Sequence, residues 1–249
     1  MLPEKYLRNQ IHQLMVNIRR IINKGREKMK KIILLVIVLT IITTLNIFAN
    51  QENQPIVQLE PVEIREYQGE RLSSLKDFNE NAIKGTQRVD INEYILEIVG
   101  LVQETKKFSY NEIINNFEHY KKVATLDCVE GWLVKILWEG ILVKDLIGKD
   151  NILPKAKIII FHAYDGYTTS FPVDYIMDND ILLAYKMNEV TLPAQRGFPF
   201  QLVAESKWGY KWIKWITKIE ISDDETFRGF WESRGYANEG DIDKSYFEK

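Results

Sequence analysis

From residue 94 onward, apolar and polar positions alternate in short stretches, each closed by glycine, proline or an Asx-type turn. Residues 94–99 alternate as a strand ending at Gly100, and residues 157–163, 181–187 and 201–204 read as further strands. The cleanest alternation covers residues 212–221, where Ile213, Trp215, Ile219 and Ile221 share one face and Lys214, Lys218 and Glu220 the other. Between the strands, Ser109 and Glu112 have the spacing of a capping box that opens a short helix through Phe117. Residues 142–147 read as a second short helix, and Pro172 opens a third that reaches Met177. Residues 123–128 read as extended, and Asp165-Gly166 as a turn. Short strands mixed with short helices, without a regular strand–helix repeat, predict an α+β domain rather than a doubly wound one. Residues 67–88 carry no clear period and read as a long loop, a kind that often serves function.

The first fifty residues follow a different pattern. Residues 32–49 form an apolar, charge-free run behind Lys24, Arg26, Lys28, Lys30 and Lys31, the arrangement that keeps the N-terminal side in the cytoplasm. Its length lies between a signal-peptide core and a full span, so cleaved signal and retained anchor both stay open. Translation from Met29 would make Met-Lys-Lys, the apolar run and Phe48-Ala49 an ordinary export signal. Upstream, Ile11, Leu14, Met15, Ile18, Ile21 and Ile22 recur at helical spacing among basic residues, as in an amphipathic helix on a membrane surface. Arg19-Arg20 is a weak match to a twin-arginine export signal, since charged residues separate it from the apolar run. The predicted organisation is a basic amphipathic segment at 1–31, a signal core or anchor at 32–49, a linker at 50–65 with Pro55 and Pro61, and one domain at 66–249. The expected location is the periplasmic or extracytoplasmic face of a membrane.

Charge sharpens this division. The formal net charge of -2 conceals nine Lys/Arg against Glu4 and Glu27 in residues 1–49, which leaves the remainder clearly acidic. An acidic body without a long basic run lacks the footprint that phosphate neutralisation requires, so nucleic acid is excluded as a partner. The single cysteine rules out an internal disulfide, a zinc ribbon and a CxxC redox pair.

That cysteine is the most informative residue. Cys128 stands at a strand end, and Gly131 lets the backbone turn sharply behind it, placing the thiol at a bend. Read from the residues alone, it is either a small buried hydrophobe or a soft-metal ligand. Trp132, Trp138, Trp212 and Trp215 read as core and pocket wall, and His162 as a satisfied histidine. Glu130 reads equally as a loop charge or as a group near a metal, and Lys207 and Trp208 face either an anion or solvent.

Several blocks in order resemble the sulfite oxidase and periplasmic methionine-sulfoxide reductase superfamily. Cys128-Val-Glu-Gly-Trp132 with Trp138-Glu139-Gly140 is similar to the segment that holds that family's molybdenum-ligating cysteine. Asp165 to Ser170, Leu182-Leu-Ala-Tyr-Lys-Met-Asn188, Leu192-Pro193 through Pro199, and Gly209-Tyr-Lys-Trp-Ile-Lys-Trp215 resemble its following blocks. The similarity runs from about residue 94 to 221, includes 79–85, and continues into 230–236.

The resemblance implies a mixed-sheet, sulfite-oxidase-type α+β fold and a molybdenum–molybdopterin cofactor with Cys128 as metal ligand. It further implies cofactor contacts from Asn81, Ile83, Lys84, Ala163, Arg196, Gln201, Gly209, Tyr210 and Lys211. Lys211 and the amides of Gly209 and Tyr210 would clamp the pterin phosphate. Relatives commonly carry His or Asn where Arg196 stands and Arg where Gln201 stands, so the cation is expected five residues upstream of its usual place. The implied activity is oxygen-atom transfer to or from a small sulfite-like or sulfoxide-like substrate. Electrons would pass to or from a separate redox protein, such as a membrane haem protein. With no haem motif and no room for a dimerising β-sandwich, a monomer is expected. The rival expectation is a scaffold that keeps the fold without the cofactor.

Overall fold

The computed structural model describes residues 4–51 and 62–248, so most of the linker expected at 50–65 lies outside the described residues. The chain divides into two compact units, Met1–Leu59 and Glu60–Lys249.

The first unit contains α1, Glu4–Gln51, a single helix of 48 residues. No proline interrupts it, and its one glycine, Gly25, has open space around it, so nothing local forces a break. The basic stretch and the apolar run expected as separate segments therefore share one helix. Among the described residues, no helix is long and apolar enough to cross a membrane.

The second unit opens with the small hairpin β1 (Glu66–Tyr67) and β2 (Glu70–Arg71). Its hold on the fold starts earlier than expected, because Glu63 accepts hydrogen bonds from the Ser74 hydroxyl (2.6 Å) and the Leu75 amide (2.8 Å). There follow β3 (Ile95–Gly100), β4 (Lys106–Ser109) and α2 (Tyr110–Asn116). The predicted capping box is present, with Ser109 and Glu112 each bonded to the other's backbone amide. Next come β5 (Tyr120–Asp127), β6 (Leu133–Leu142), α3 (Val143–Ile147), β7 (Ile158–Ala163), β8 (Thr168–Pro172) and α4 (Val173–Asp178). The last strands are β9 (Leu182–Met187), β10 (Val190–Thr191), β11 (Gln201–Val203) and β12 (Ile216–Ser222).

Two five-stranded sheets result. One has the order β4-β3-β12-β7-β8, and the parallel pairing of β3 with β12 makes it a mixed sheet, as the resemblance implies. The other runs β10-β9-β6-β5, with β11 also on β9, and is antiparallel throughout. One hydrophobic cluster joins both sheets with Ile113 of α2, Leu146 of α3 and Ile176 of α4. Each fully buried Ile, Leu or Phe in it contributes roughly 1.5–3 kcal/mol.

Six strands escaped the pattern reading, three of them the two-residue β1, β2 and β10, too short to carry a period. β6 is the centre of its sheet and buries Val134, Ile136, Leu137, Trp138, Ile141 and Leu142, so no two-residue alternation marks it. β4 and β8 are short edge strands that borrow their regularity from the neighbours they pair with. The predicted strand at 212–221 is corrected: it begins only at Ile216. Trp215 has φ +52°, and the pairing with β7 shifts register between Ile216 and Lys218.

Gly140 marks a close contact between β6 and β9. A Cβ there would stand 2.7 Å from the Ala184 Cα and 2.8 Å from the Leu183 carbonyl carbon, beside a register shift between β6 and β9. Gly140→Ala is expected to lower stability by about 3 kcal/mol or more, because backbone has nowhere to retreat. Thermal unfolding checks it, and an unchanged Tm would mean that these strands can move apart.

Candidate functional site

The hairpin joining β5 to β6 is built to present one side chain. β5 ends at Asp127, Cys128 follows, and the Cys128 carbonyl accepts from the Gly131 amide at 2.9 Å while its own amide donates to Trp132 O at 2.9 Å. Gly131, at φ +84°, takes the left-handed conformation this turn needs. The thiol therefore sits at the bend, on the wall of a cavity of about 590 Å³ that Phe78, Asn81, Trp132, Arg196, Gln201 and Lys214 also line. It is 6% exposed, and its described partner is the Asn81 amide, with Nδ2 3.8 Å from Sγ. Burial pushes the thiol pKa up, and the negative charges of Glu130 and Asp127 push the same way against the Glu130 amide. The free thiol thus stays protonated at neutral pH, and only a strong electrophile such as a soft metal ion makes it a thiolate.

Opposite in charge to that hairpin are two cations. Arg196 is buried, with its guanidinium 4.6 Å above the Phe78 ring and NH1 donating to Asn79 O at 3.1 Å. Lys214 donates to Gln195 O at 3.1 Å and lies 4.3 Å from the centre of the Trp215 ring. Burial and the Arg196 charge bring its pKa down to about 8, with Glu80 and Asp165 opposing. Among the described residues neither cation forms an ion pair, so two repelling charges are left on one wall. Gly197 makes this wall possible: at φ +99°, a Cβ there would stand 3.0 Å from the Lys214 Cβ and 3.2 Å from the Gln201 Cβ. Gln201 contributes a buried Oε1 without a hydrogen-bond partner. Two uncompensated cations, an orphaned acceptor and a soft sulfur donor fit a phosphate-tailed, N–H-bearing metal chelate.

The cavity gathers Asn81, Ile83, Cys128, Arg196, Gln201, Gly209 and Tyr210 from the predicted site residues. Gly209 packs against the Cys128 hairpin, where a Cβ would meet Asp127 O at 3.1 Å. Three predicted contacts lie elsewhere. Lys84 is exposed and its ammonium lies by Gly166. Ala163 ends β7 behind Asp165 and Tyr167, which take the cavity wall in its place. Lys211 is fully buried and gives its three protons to Ser170 O, Glu232 Oε1 and Asn238 O, so it has none for a phosphate. The lysine that does line the cavity is Lys214, three positions on.

Other side chains settle as well. Trp132, Trp212 and Trp215 line the cavity and Trp138 is core. His162 is satisfied by Glu220 at 2.9 Å, and burial lowers its pKa. Glu130 lines the cavity and accepts from the Trp132 indole at 3.1 Å. Lys207 is buried and paired with Asp241, facing neither substrate nor solvent. Sequence reasoning missed Lys214 and the wall formed by Phe230, Trp231 and Tyr236.

The family model for the oxidoreductase molybdopterin binding domain matches residues 83–231. The chain belongs to that family. It is a molybdopterin-binding oxidoreductase domain of the sulfite oxidase and methionine-sulfoxide reductase type. It is 31% identical to the uncharacterized oxidoreductase YuiH of Bacillus subtilis, over 61% of this chain and 76% of that one. It is 30% identical to the putative protein-methionine-sulfoxide reductase subunit YedZ1 of Azospira oryzae, over 60% of this chain but only 56% of that relative. The sulfane dehydrogenase SoxCD from Paracoccus pantotrophus shares the fold, with a TM-score of 0.55 and 22% identity over 62% of this chain and 43% of that one.

Proposed function

We propose that this domain holds one molybdenum–molybdopterin and transfers an oxygen atom to or from a small sulfur-centred substrate of sulfoxide or sulfite type. Electrons are exchanged with a separate redox protein. The observation that carries the reading is Cys128 and the pair Arg196 and Lys214 on the wall of one cavity. Cys128 would ligate the metal, and Arg196 with Lys214 would hold the pterin phosphate as charge-assisted donors. The bound metal–pterin would supply the two-electron oxygen chemistry. Asn81 would donate to the cysteine sulfur, and hydrogen bonds to a ligating sulfur moderate its electron donation to a metal. Phe78 and Trp132, in edge contact at 6.0 Å, would keep the neighbourhood of the sulfur dry.

The YedZ1 relative, a putative protein-methionine-sulfoxide reductase subunit, supports a sulfoxide as substrate and, as a subunit, an electron partner on a separate chain. The basic residues 24–31 ahead of the apolar run support export, with the domain on the far side of a membrane. Protein produced in a molybdopterin-competent host is expected to contain about one molybdenum and one pterin per chain. Elemental analysis and oxidised-pterin fluorescence measure both. Folded protein from such a host with neither would leave the scaffold reading in possession.

A further inference from the structure

Beyond β12, residues 223–248 run without strand or α-helix, containing a single 3-10 turn, Glu232–Arg234, and pass back over the cavity. Phe230, Trp231 and Tyr236 of this strap line the cavity beside Tyr167 and Tyr210. The strap is fastened at a few points. The Phe230 amide donates to Thr168 O at 2.9 Å, the Tyr210 hydroxyl to Ala237 O at 2.7 Å, and the Trp208 amide to Gly240 O at 2.8 Å. A Cβ on Gly240 would stand 2.7 Å from the Lys211 Cγ, so the strap lies directly on that side chain.

Lys211 and Glu232 form the deepest of these fastenings. Both side chains are 0% exposed, and Nζ lies 2.8 Å from Oε1. The ammonium also donates to Ser170 O of β8 at 2.7 Å and to Asn238 O at 2.8 Å, so one group joins the sheet to two points of the strap. The Thr169 hydroxyl donates to the same Glu232 oxygen at 2.5 Å, while Oε2 has no partner. A carboxylate this deep survives only while a cation compensates it, which fixes the strap in one position.

We propose that Lys211 and Glu232 are positioning residues that latch the aromatic wall of the strap onto the molybdopterin cavity, and so set how firmly the bound cofactor is retained. This rests on the proposed cofactor. Lys211 thus acts on the cofactor through the strap, without touching it. The latch joins two segments, one inside the family match and one at its edge, so it exists only when the strap is seated.

The test compares Glu232→Gln with the parent as the full chain, with and without cofactor, by amide hydrogen exchange and by the rate at which molybdopterin leaves folded holoprotein. The amide keeps the shape but halves the latch, so amides at 228–240 are expected to exchange about tenfold to a hundredfold faster, with cofactor release accelerated by a similar factor. Amides of β3 and β6 should be unaffected. Ile219→Val serves as the control: it trims a core residue of β12 that is not part of the cavity wall. Strap exchange and release equal to the parent's, or changed as much in the control at matched Tm, would overturn the proposal. Should Glu232→Gln fail to fold, Thr169→Val removes one donor only and is expected to act in the same direction by about threefold; no change there would also overturn it. Protein without pterin from a competent host would sink the proposed function, while the exchange comparison would still decide the latch.

Discussion

Cys128→Ser should leave a folded domain that still carries pterin but turns over about a thousandfold more slowly or worse, a loss of roughly 4 kcal/mol of transition-state stabilisation. The fold should tolerate it because the exchange is nearly isosteric, the backbone turn is made by amides, and the described side-chain hydrogen bond of the sulfur is the 3.8 Å contact with Asn81. Pterin should stay because its phosphate is assigned to Arg196 and Lys214, which the change leaves in place. Turnover should fall because an alcohol is a hard donor whose proton a soft metal does not readily displace, whereas a thiol surrenders its proton on ligation even where burial has raised its pKa. Molybdenum and pterin content, Tm and turnover measured on one preparation separate these effects. Serine with parental turnover would remove the metal-ligand role from Cys128, and loss of pterin alongside activity would mean that the cofactor is held chiefly through its metal.

What could be read beforehand was whatever local chemistry determines. The strand ending at Gly100, the Ser109 capping box and the bend after Asp127 each depend on residues within a few positions of one another, and each is in place. β6 could not be read, because a strand buried on both faces has no alternating signature. The site failed at one point for a related reason. Counting alternate faces through residues 212–221 put Lys214 on the solvent side of a strand, but the backbone turns at Trp215 and the register slips at Ile216, so Lys214 faces the cavity. Three residues earlier, Gly209–Lys211 forms a 3-10 turn that draws Lys211 inward to Glu232. A lysine flanked by aromatic residues on both sides has the same local sequence whether it clamps a phosphate or a strap. Its role is decided by a glutamate twenty-one residues away in the chain, which no local pattern announces. The aromatic wall from the strap is hidden for the same reason, since Phe230 and Trp231 come to share a cavity with Cys128 only through tertiary folding.

Phosphate binding to the cofactor-free domain is expected to weaken about tenfold per pH unit above pH 8, because the depressed Lys214 must be protonated to hold a dianion. The direction follows from its two causes. Burial and the Arg196 charge both disfavour the ammonium, and an incoming anion relieves both, so binding near pH 8 should take up a proton. Calorimetry of inorganic phosphate binding in buffers of different ionisation enthalpy reads that uptake directly. Stability moves the other way. The folded pKa, about 8, lies below the ordinary 10.5, so between those values the unfolded chain binds more protons and the cofactor-free fold gains stability as pH rises. Below about pH 8 that penalty is present in full. Lys214→Met should therefore be more stable than the parent at pH 7, bind phosphate poorly and show no pH-dependent proton uptake. Arg196→Gln gives the sharper diagnosis: it should weaken binding at every pH while moving the Lys214 midpoint upward, since one of the two depressing influences is gone. A Lys214 midpoint, followed by NMR, that stays put when Arg196 is neutralised would mean the two charges do not share a wall, and the anion site assigned to them would have to be abandoned.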